Sequence, residues 1–414
     1  MNEPAPGRWP RVVVAGGGAA GFFAAIAAAE SCPAADVTLL EKTPHLLAKV
    51  RISGGGRCNV THACFDAREL ATRYPRGGRA LIGPLTRFGS SETIEWFQSR
   101  GVALKTEADG RMFPVSDSSQ SIIDCLNGAA ERAGVKIRVG VGVDSAVRTA
   151  SGEFALALND GLTITCDRFL WAAGGCRPGL HPAVELGHTL VAPVPSLFTF
   201  QIEEPWLKTL PGVAVDPVKV SVATAKRTEI GPLLITHGGV SGPVVLRLSA
   251  WGARELHKVG YRFDIDVNWL ASASHEEVMR EIQHRRVTSG AQTVLRARWS
   301  PLPARLWEQL VALAGIAPDV RWSKLSRDAG VRLATFLTKT TLAVSGKSTN
   351  KEEFVTCGGI PLDEVHFKTM GSRLVPGLYF AGEALDIDGI TGGFNFQSAW
   401  TTGWTAGRAM VGVG

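Results

Sequence analysis

Residues 11–21 read Arg-Val-Val-Val-Ala-Gly-Gly-Gly-Ala-Ala-Gly, an apolar run that leads directly into a glycine-rich turn. The valines predict a short buried strand. In the turn that follows, Gly16 permits a tight bend, Gly18 lets the backbone approach a pyrophosphate, and Gly21 lets the next helix pack closely on the strand. This stretch predicts the phosphate-binding turn of a dinucleotide-binding domain.

A helix and a second strand complete this motif. The alanine-rich residues 19–31 predict a helix whose N-terminal N–H groups and dipole attract phosphate. Residues 36–41 predict the second parallel strand, and Glu41 ends it twenty residues after Gly21, where a carboxylate accepts ribose hydroxyls. The alternative is a glycine-rich turn in an unrelated α/β fold. The cofactor contacts predicted here are Gly16, Gly18, Ala19, Ala20, Gly21, Glu41 and Lys42.

The other end of the chain carries a second glycine-rich region. Residues 377–383 form an apolar run that ends in a glycine and an acid, and residues 391–395 form a turn before another helix. The start of that helix would direct N–H groups at the N1–C2=O edge of a flavin, although an ordinary strand–turn–helix has the same pattern. The contacts predicted here are Gly382, Glu383, Asp386, Gly392, Gly393, Phe394 and Asn395. Because two distant segments would contact one ligand, the sequence favours FAD over NAD.

Residues 49–59 form a basic, glycine-rich segment, Lys-Val-Arg-Ile-Ser-Gly-Gly-Gly-Arg-Cys-Asn. Consecutive N–H groups in such a loop form an anion-binding nest, and Arg57 adds positive charge. The alternative is a flexible surface loop. The contacts predicted from this segment are Lys49, Ser53, Gly54, Gly55, Arg57, Cys58 and Asn59. A third turn, after the apolar residues 169–172, adds Ala173, Gly174 and Gly175.

Three residues are candidates for catalysis. His237 lies in a turn-rich segment and would act as a general acid or base near neutral pH, although a lone histidine is more often structural. Cys58 would be a redox or acid group, although such a cysteine is more often a small packed residue. Arg57 is the third candidate. No metal site is predicted, because the histidines, cysteines and acids lack metal-ligand spacing.

The chain has 414 residues, which are enough for two or three domains, and its residue pattern changes along its length. Glycine turns and buried strands predict a nucleotide-binding domain over residues 1–188 and 341–414. Alternating strands predict a β-rich substrate domain over residues 189–273. A basic helical insert is predicted over residues 274–340, opened by a Ser-x-x-Glu capping box at Ser274.

Cysteine usage and hydropathy indicate the compartment. Seven scattered cysteines without a C-x-x-C pair indicate reduced thiols in the cytosol. Residues 12–29 carry no charge, but three consecutive glycines argue against a membrane helix or signal sequence. A soluble, cytoplasmic protein without a membrane partner is therefore expected.

The net charge of +6 is unevenly distributed. Residues 275–339 contain eleven Lys or Arg and six Asp or Glu, a net charge of +5 for this segment. Clustered cations provide affinity for phosphate backbones, so the segment makes RNA a candidate partner. The competing interpretation is a solvated basic face.

These motifs, together with Gly110-Arg-Met-Phe-Pro114, Gly187-His188 and Ser241-Gly-Pro243, resemble the aminoacetone oxidase-like family of FAD-binding flavoproteins. The resemblance implies an α/β fold in which a Rossmann-type FAD-binding domain is interrupted by a β-barrel-like domain with a small helical insert. It also implies noncovalent FAD. Phe394 stands where the family usually has tyrosine, and the loop over residues 174–182 is shorter than usual, so a divergent subfamily is expected.

The resemblance links the chain to amine oxidation, to reduction of steroid-like enones with nicotinamide, and to reduction of a uracil in ribosomal RNA. We therefore expect an FAD-dependent oxidoreductase that transfers hydride to or from a small amine or enone-like molecule. The alternatives are a flavin-dependent reductase of a ribosomal RNA uracil and a flavin-binding protein without catalysis. Because the sequence has no second glycine fingerprint, NAD(P)H is expected only as a transient electron donor.

Overall fold

The computed structural model describes residues 9–175, 182–347 and 355–413. The chain divides into two compact units. Unit 1 comprises Met1–Pro195 and Lys351–Gly414, and unit 2 comprises Ser196–Asn350. Most of the predicted short loop, residues 176–181, lies outside the described residues.

The elements follow the chain in three groups. The first part of unit 1 contains strands β1 (Arg11–Ala15), β2 (Asp36–Glu41), β3 (Thr61–His62), β4 (Leu104–Thr106), β5 (Arg111–Pro114), β6 (Lys136–Val139), β7 (Val143–Arg148), β8 (Phe154–Leu158), β9 (Thr163–Cys166), β10 (Arg168–Trp171) and β11 (Val191–Ser196). Its helices are α1 (Ala19–Ser31), α2 (Ala48–Gly56), α3 (Ala67–Ala71), α4 (Gly78–Leu85), α5 (Ser90–Gln98), α6 (Ser119–Arg132) and α7 (Pro182–Glu185).

Unit 2 follows, and the chain then returns to unit 1. The elements of unit 2 are β12 (Phe200–Ile202), β13 (Ala214–Val222), β14 (Arg227–Thr236), β15 (Gly239–Ser241), α8 (Pro243–Trp251), α9 (Ala253–Lys258), β16 (Phe263–Asn268), α10 (His275–Thr288), α11 (Ala304–Leu313), α12 (Arg327–Thr338) and β17 (Thr340–Lys347). The last elements of unit 1 are β18 (Val355–Gly359), β19 (Val365–His366), β20 (Gly371–Ser372), β21 (Leu378–Phe380) and α13 (Phe394–Met410).

Unit 1 is built on a seven-stranded sheet in the order β19-β20-β21-β10-β1-β2-β6. The strands from β21 to β6 are parallel, and β20 and β19 extend the sheet in antiparallel pairing. The carboxyl ends of β1, β2, β10 and β21 therefore meet at one edge, which is where open α/β sheets bind their ligands. The predicted Rossmann-type fold is confirmed.

Two helices with small side chains pack against each other in unit 1. α1 is buried along nearly its whole length, and α13 carries Gly403 and Gly407 one turn apart. A Cβ atom at Gly403 would lie 2.4 Å from the Ala20 carbonyl oxygen, and one at Gly407 would lie 2.3 Å from the Ala24 carbonyl oxygen. This close packing explains why α1 is apolar on every side. No helix in the described part of the chain is long and apolar enough to cross a membrane.

Unit 2 contains a closed barrel in the order β12-β15-β14-β13-β16-β17, with antiparallel pairing throughout. Along β13, buried Val218, Val220 and Val222 alternate with more exposed residues, as the period-two pattern predicts. The helices α10 to α12 lie between β16 and β17 in the chain. The capping box that starts α10 is confirmed, because the Ser274 N–H donates to Glu277 Oε2 at 2.7 Å and the Glu277 N–H donates to Ser274 Oγ at 3.2 Å.

The structure shifts two of the predicted domain boundaries. Residues 341–347, which were assigned to the nucleotide-binding domain, belong to unit 2 because β17 closes the barrel between β12 and β16. Residues 189–195, which were assigned to the β-rich domain, belong to unit 1 because β11 pairs with β18. In both cases the partner strand is distant in sequence, so the local pattern does not identify it.

A buried histidine joins the segment after α7 to the antiparallel edge of the sheet. The His188 side chain is fully buried, with Nδ1 2.6 Å from Glu364 Oε2 and Nε2 2.7 Å from Ser372 Oγ. Burial alone would raise the pKa of the Glu364 carboxyl group, but hydrogen bonds from Thr189 and His188 together lower that pKa. Gly187-His188, one of the sequence motifs, therefore has a structural role.

Replacing Glu364 with glutamine is expected to make the free energy of unfolding less sensitive to acid. A carboxyl group whose pKa is lower in the folded state stabilises the fold above its unfolded pKa of about 4.3. That contribution is lost as pH falls through the folded-state pKa. Urea denaturation between about pH 6 and about pH 3.5 should therefore show a smaller loss for E364Q than for the wild type. E131Q, which changes an exposed carboxylate on α6, serves as the control. Equal losses in E364Q and the wild type would contradict the expectation.

Candidate cofactor site

The glycines of the turn between β1 and α1 have different roles. Two of them allow close backbone packing, and a third has open space beside it. Gly16 has φ +116°, and a Cβ atom there would lie 2.3 Å from the Ala172 carbonyl oxygen. A Cβ atom at Gly21 would lie 1.9 Å from the Gly16 carbonyl oxygen. At Gly18, by contrast, a Cβ atom would meet no described atom within 4 Å. The space above Gly18 is therefore open to a ligand.

The N-terminus of α1 opens into this space without a protein cap. Gly18 is the N-cap residue, and among the described residues no side chain caps the helix and no acid lies in its first turn. The first N–H groups of an α-helix have no partner within the helix, and the helix dipole adds positive potential. A pyrophosphate group satisfies both features, so the residues present fit the predicted dinucleotide.

Glu41 ends β2 beside this turn and is held by hydrogen bonds to both oxygens. The backbone N–H of Gly17 donates to Oε2 at 2.8 Å, and the N–H and hydroxyl of Thr43 donate to Oε1, each at 2.8 Å. Carboxylate oxygens accept more than one hydrogen bond each, so capacity remains for ribose hydroxyls. The neighbouring Lys42 forms an exposed ion pair with Asp144 at 3.2 Å.

The basic glycine-rich segment is a short helix that ends in a tight glycine turn, not a continuous loop. α2 becomes non-helical at Ser53, whose hydroxyl donates to the Val50 carbonyl oxygen at 2.9 Å. The glycines 54–56 then have φ of +58°, +69° and +84°. A Cβ atom at Gly55 or Gly56 would meet no atom of the described residues within 4 Å. This left-handed glycine turn agrees with a backbone that a ligand approaches closely.

Arg57 and Cys58 follow this turn, and contacts within the protein occupy both side chains. Arg57 lies 2.7 Å from Glu107 and 3.5 Å from Asp117, and it stacks over the Phe113 ring. The hydrogen bond to Glu107 raises the pKa of Arg57, so its charge is already paired. Cys58 is fully buried, and burial raises the pKa of its thiol to about 12. A protonated, buried thiol favours the packing interpretation of Cys58, and its catalytic role stays a prediction.

Asn59 connects the glycine segment with the start of α13. With its amide orientation assigned from the surrounding donors and acceptors, the nitrogen donates to the Thr61 carbonyl oxygen at 3.0 Å and the oxygen accepts from the Gly393 N–H at 2.9 Å. Gly393 has φ +93° and is the N-cap residue of α13, without a side-chain cap from the described residues. The two glycine-rich ends of the chain therefore meet in unit 1.

Several of the remaining predicted contact residues form hydrogen bonds or ion pairs within the protein. Gly382 follows β21 and donates its N–H to the Thr402 hydroxyl at 2.9 Å, and Glu383 pairs with Lys49. Asn395 exchanges two hydrogen bonds with Gly389, at 2.8 and 2.9 Å, so its side chain closes the turn before α13. The set is completed by the half-buried Asp386, the positive-φ Gly392–Gly393 turn, the buried Phe394 ring and, after β10, Ala173, Gly174 and Gly175.

One residue beside the turn before α13 was not predicted from the sequence to belong to this site. His62 on β3 stacks on Phe394 with ring centroids 4.8 Å apart, and its Nε2 lies 3.1 Å from the Asp109 carbonyl oxygen. Its Nδ1 is buried and has no hydrogen-bond partner among the described residues. Burial lowers the pKa of His62, which favours a neutral ring. The only sequence signal was its position three residues after Asn59.

His237 lies in an exposed turn between β14 and β15 of unit 2. Its catalytic role stays a prediction. Over the ranges that the structure describes, no group of three or more His, Cys, Asp or Glu side chains is placed to hold a metal ion.

Comparison with known proteins gives consistent results. Residues 10–409 match the HI0933-like protein Rossmann domain. The chain is 32% identical over 412 residues to a 3-dehydro-bile acid delta(4,6)-reductase of Clostridium scindens, covering 97% of this chain and 99% of that protein. It is also 32% identical over 378 residues to a ribosomal RNA dihydrouridine synthase of Escherichia coli K12, covering 88% and 89%.

A solved structure supports the fold. The 3-ketosteroid delta1-dehydrogenase of Sterolibacterium denitrificans aligns with a TM-score of 0.51 and 12% identity, covering 97% of this chain and 99% of that one. The narrower aminoacetone oxidase-like assignment stays a prediction. The match over nearly the whole length shows that the chain belongs to the HI0933-like family of FAD-binding Rossmann proteins and is a flavoprotein oxidoreductase.

Proposed function

We propose that unit 1 holds FAD noncovalently and that the protein reduces a carbon–carbon double bond conjugated to a carbonyl group. The pyrophosphate would lie at the open start of α1, the ribose at Glu41, and the flavin near the glycine turns before α13. When bound, FAD supplies two-electron hydride chemistry. The uncapped start of α13 would place positive dipole where negative charge collects on a reduced flavin.

The observation that carries this proposal is the pair of relatives with different substrates. Each is 32% identical to this chain over most of its length. A 3-dehydro delta(4,6) steroid has double bonds conjugated to the C3 carbonyl group, and dihydrouridine is uridine reduced at the C5–C6 bond, which is conjugated to the C4 carbonyl group. The two relatives thus share a reaction class although their substrates differ. This favours enone reduction over amine oxidation.

The test uses purified protein saturated with FAD under anaerobic conditions. We expect about one FAD per chain, and chemically reduced protein should be reoxidised by α,β-unsaturated ketones but not by the matching saturated ketones. NADH and NADPH are compared as donors in the same assay. Flavin reduction by small amines, with reoxidation only by oxygen, would contradict the proposal. A protein that binds no FAD would contradict the cofactor as well.

A second candidate is a reductase that acts on a uracil in ribosomal RNA, and the surface of unit 2 favours it. Within residues 275–339, nine of the eleven basic side chains are exposed. Eight of these form no ion pair with any described residue: Arg280, Arg296, Arg298, Arg305, Arg321, Lys324, Arg327 and Arg332. The tryptophans of the same segment do not add support for RNA contact, because Trp307 and Trp322 are fully buried core residues.

A measurement of RNA binding would distinguish the ribosomal RNA substrate from a small-molecule substrate. If the exposed basic side chains of residues 275–339 contact RNA phosphates, removing two cations in R296A/R298A should reduce the slope of log K against log salt by about 1.4. This value corresponds to two lost contacts at roughly 0.7 per single-strand phosphate. R79A, an exposed arginine on α4 of unit 1, is the control. A wild-type affinity that does not depend on salt would remove this candidate. Mass spectrometry of ribosomal RNA from a deletion strain then tests whether a dihydrouridine is lost.

A further inference from the structure

Unit 1 contains a cavity apart from the glycine turns. It has a volume of about 290 Å³ and is lined by Arg87, Trp404, Thr405, Arg408 and Val413. Arg87 follows α4, and the other four residues lie in the second half of α13 or just after it. At 1.5 Å per residue, Trp404 and Arg408 lie roughly 17–22 Å along α13 from Gly393. The cavity is therefore separate from the candidate cofactor site.

Two arginines share this cavity without an acid between them. Within the described ranges, neither Arg87 nor Arg408 forms an ion pair. Arg87 donates to the Phe367 carbonyl oxygen at 3.3 Å, and the Arg408 guanidinium lies 4.8 Å from the Trp404 ring centroid. Burial, and then the positive charge of Arg408, lowers the pKa of Arg87. Among the described residues, therefore, no carboxylate compensates the positive charge of this cavity.

Thr405, which also lines this cavity, has a buried hydroxyl group without a partner among the described residues. Thr405 is 3% exposed, and its Oγ1 forms no hydrogen bond with the described residues. The neighbouring threonines of α13 differ, because Thr401 donates to the Phe88 carbonyl oxygen at 2.7 Å and Thr402 donates to the Ser398 carbonyl oxygen at 2.6 Å. A buried polar group without a partner costs free energy, so one that persists needs a ligand or another explanation.

The helix dipole explains only part of this arrangement. A cation near the C-terminus of a helix is favourable, which accounts for Arg408. It does not account for Arg87, which faces a like charge, or for the Thr405 hydroxyl. One oxyanion would pair with both guanidinium groups and accept the threonine hydrogen bond.

We propose that this cavity is a phosphate-binding site, occupied by inorganic phosphate or by the phosphate group of a small molecule. Isothermal titration calorimetry on the FAD-saturated protein tests it, with inorganic phosphate and a sugar monophosphate titrated separately against chloride of equal ionic strength. We expect saturable binding by the wild type and at least about tenfold weaker binding by R87Q and R408Q, the loss of one charge-assisted pair. Tighter binding of the sugar phosphate would identify a phosphorylated small molecule as the ligand. Tighter binding of inorganic phosphate would identify the free ion.

Arg100 offers a matched control. It also stacks on a tryptophan, with its guanidinium 4.1 Å from the Trp96 ring centroid, but Glu30 pairs with it at 2.7 Å. R100Q should therefore keep the wild-type phosphate affinity. If the wild type shows no saturable binding, or if R87Q, R408Q and R100Q all bind like the wild type, the site does not exist.

Thr405 allows a test that does not alter the charge. T405V keeps the shape of the side chain and removes the hydroxyl group. We expect this variant to melt at a higher temperature than the wild type without phosphate, because the unpaired group is gone, and to bind phosphate several-fold more weakly. A purely structural threonine would change the melting temperature but not the phosphate affinity, and that result would overturn its assignment as a ligand.

Discussion

Replacing Gly18 with valine is expected to weaken FAD binding by about 100-fold or more while the chain still folds. Gly18 has φ −91° and ψ −170°, an extended conformation that any residue adopts, and a Cβ atom there meets no atom of the described chain within 4 Å. The valine side chain would instead fill the space above the first N–H groups of α1. Losing two charge-assisted hydrogen bonds to phosphate costs about 3 kcal/mol or more, which is about a 100-fold or greater loss of affinity.

The measurement is FAD titration by flavin fluorescence, combined with thermal melting of the cofactor-free protein. G83V is the control, because Gly83 on α4 also has open space for a Cβ atom and lies outside the predicted cofactor contacts. G21V provides the contrast, since its Cβ atom would collide with the Gly16 carbonyl oxygen and the fold should be lost. If G18V binds FAD as tightly as G83V, the pyrophosphate does not lie at this turn.

The second large effect is expected at a buried ion pair, in the variant D388A. Asp388 is fully buried, and the Arg76 guanidinium pairs with it in two parallel hydrogen bonds, one of 2.5 Å between Nε and Oδ1. Removing one partner leaves a charge in the interior without compensation, which typically costs about 3–5 kcal/mol. We therefore expect D388A to lose about this much free energy of unfolding, measured by urea denaturation with FAD in excess.

An exposed ion pair of unit 1 provides the control for this experiment. Arg138 and Asp160 lie 3.1 Å apart with both side chains about one-third exposed. Such pairs contribute about 0–1 kcal/mol, so D160A should change the free energy of unfolding little. If D388A loses no more than D160A, water reaches the buried pair or another group compensates the arginine.

Much of unit 1, and the start of α10 in unit 2, was predictable because the signals are local. The β1–α1 turn, the acid at the end of β2 and the capping box at Ser274 each depend on residues within one short segment. Steric limits on glycine and the unpaired N–H groups of a helix start act within that range. These elements were therefore found at the predicted positions.

The roles of individual side chains depend on partners outside the motif, and the cofactor contacts predicted for Arg57 and Asn395 stay predictions. Arg57 was expected to add charge for an anion, but Glu107, fifty residues later, already pairs with it. Asn395 was expected to contact the cofactor, but its amide closes its own turn with Gly389. Neither partner belongs to the motif that suggested the role.

By itself, the sequence determined the phosphate-binding turn, the Rossmann-type class and the alternation between strand-rich and helix-rich segments. Only the tertiary structure decided that β17 closes the barrel after the helices α10 to α12, that Asn59 meets Gly393, and that Arg76 is compensated by Asp388. The physical reason is that packing and desolvation act between residues up to several hundred positions apart. A local pattern specifies which groups need partners, and the folded chain determines which partners they find.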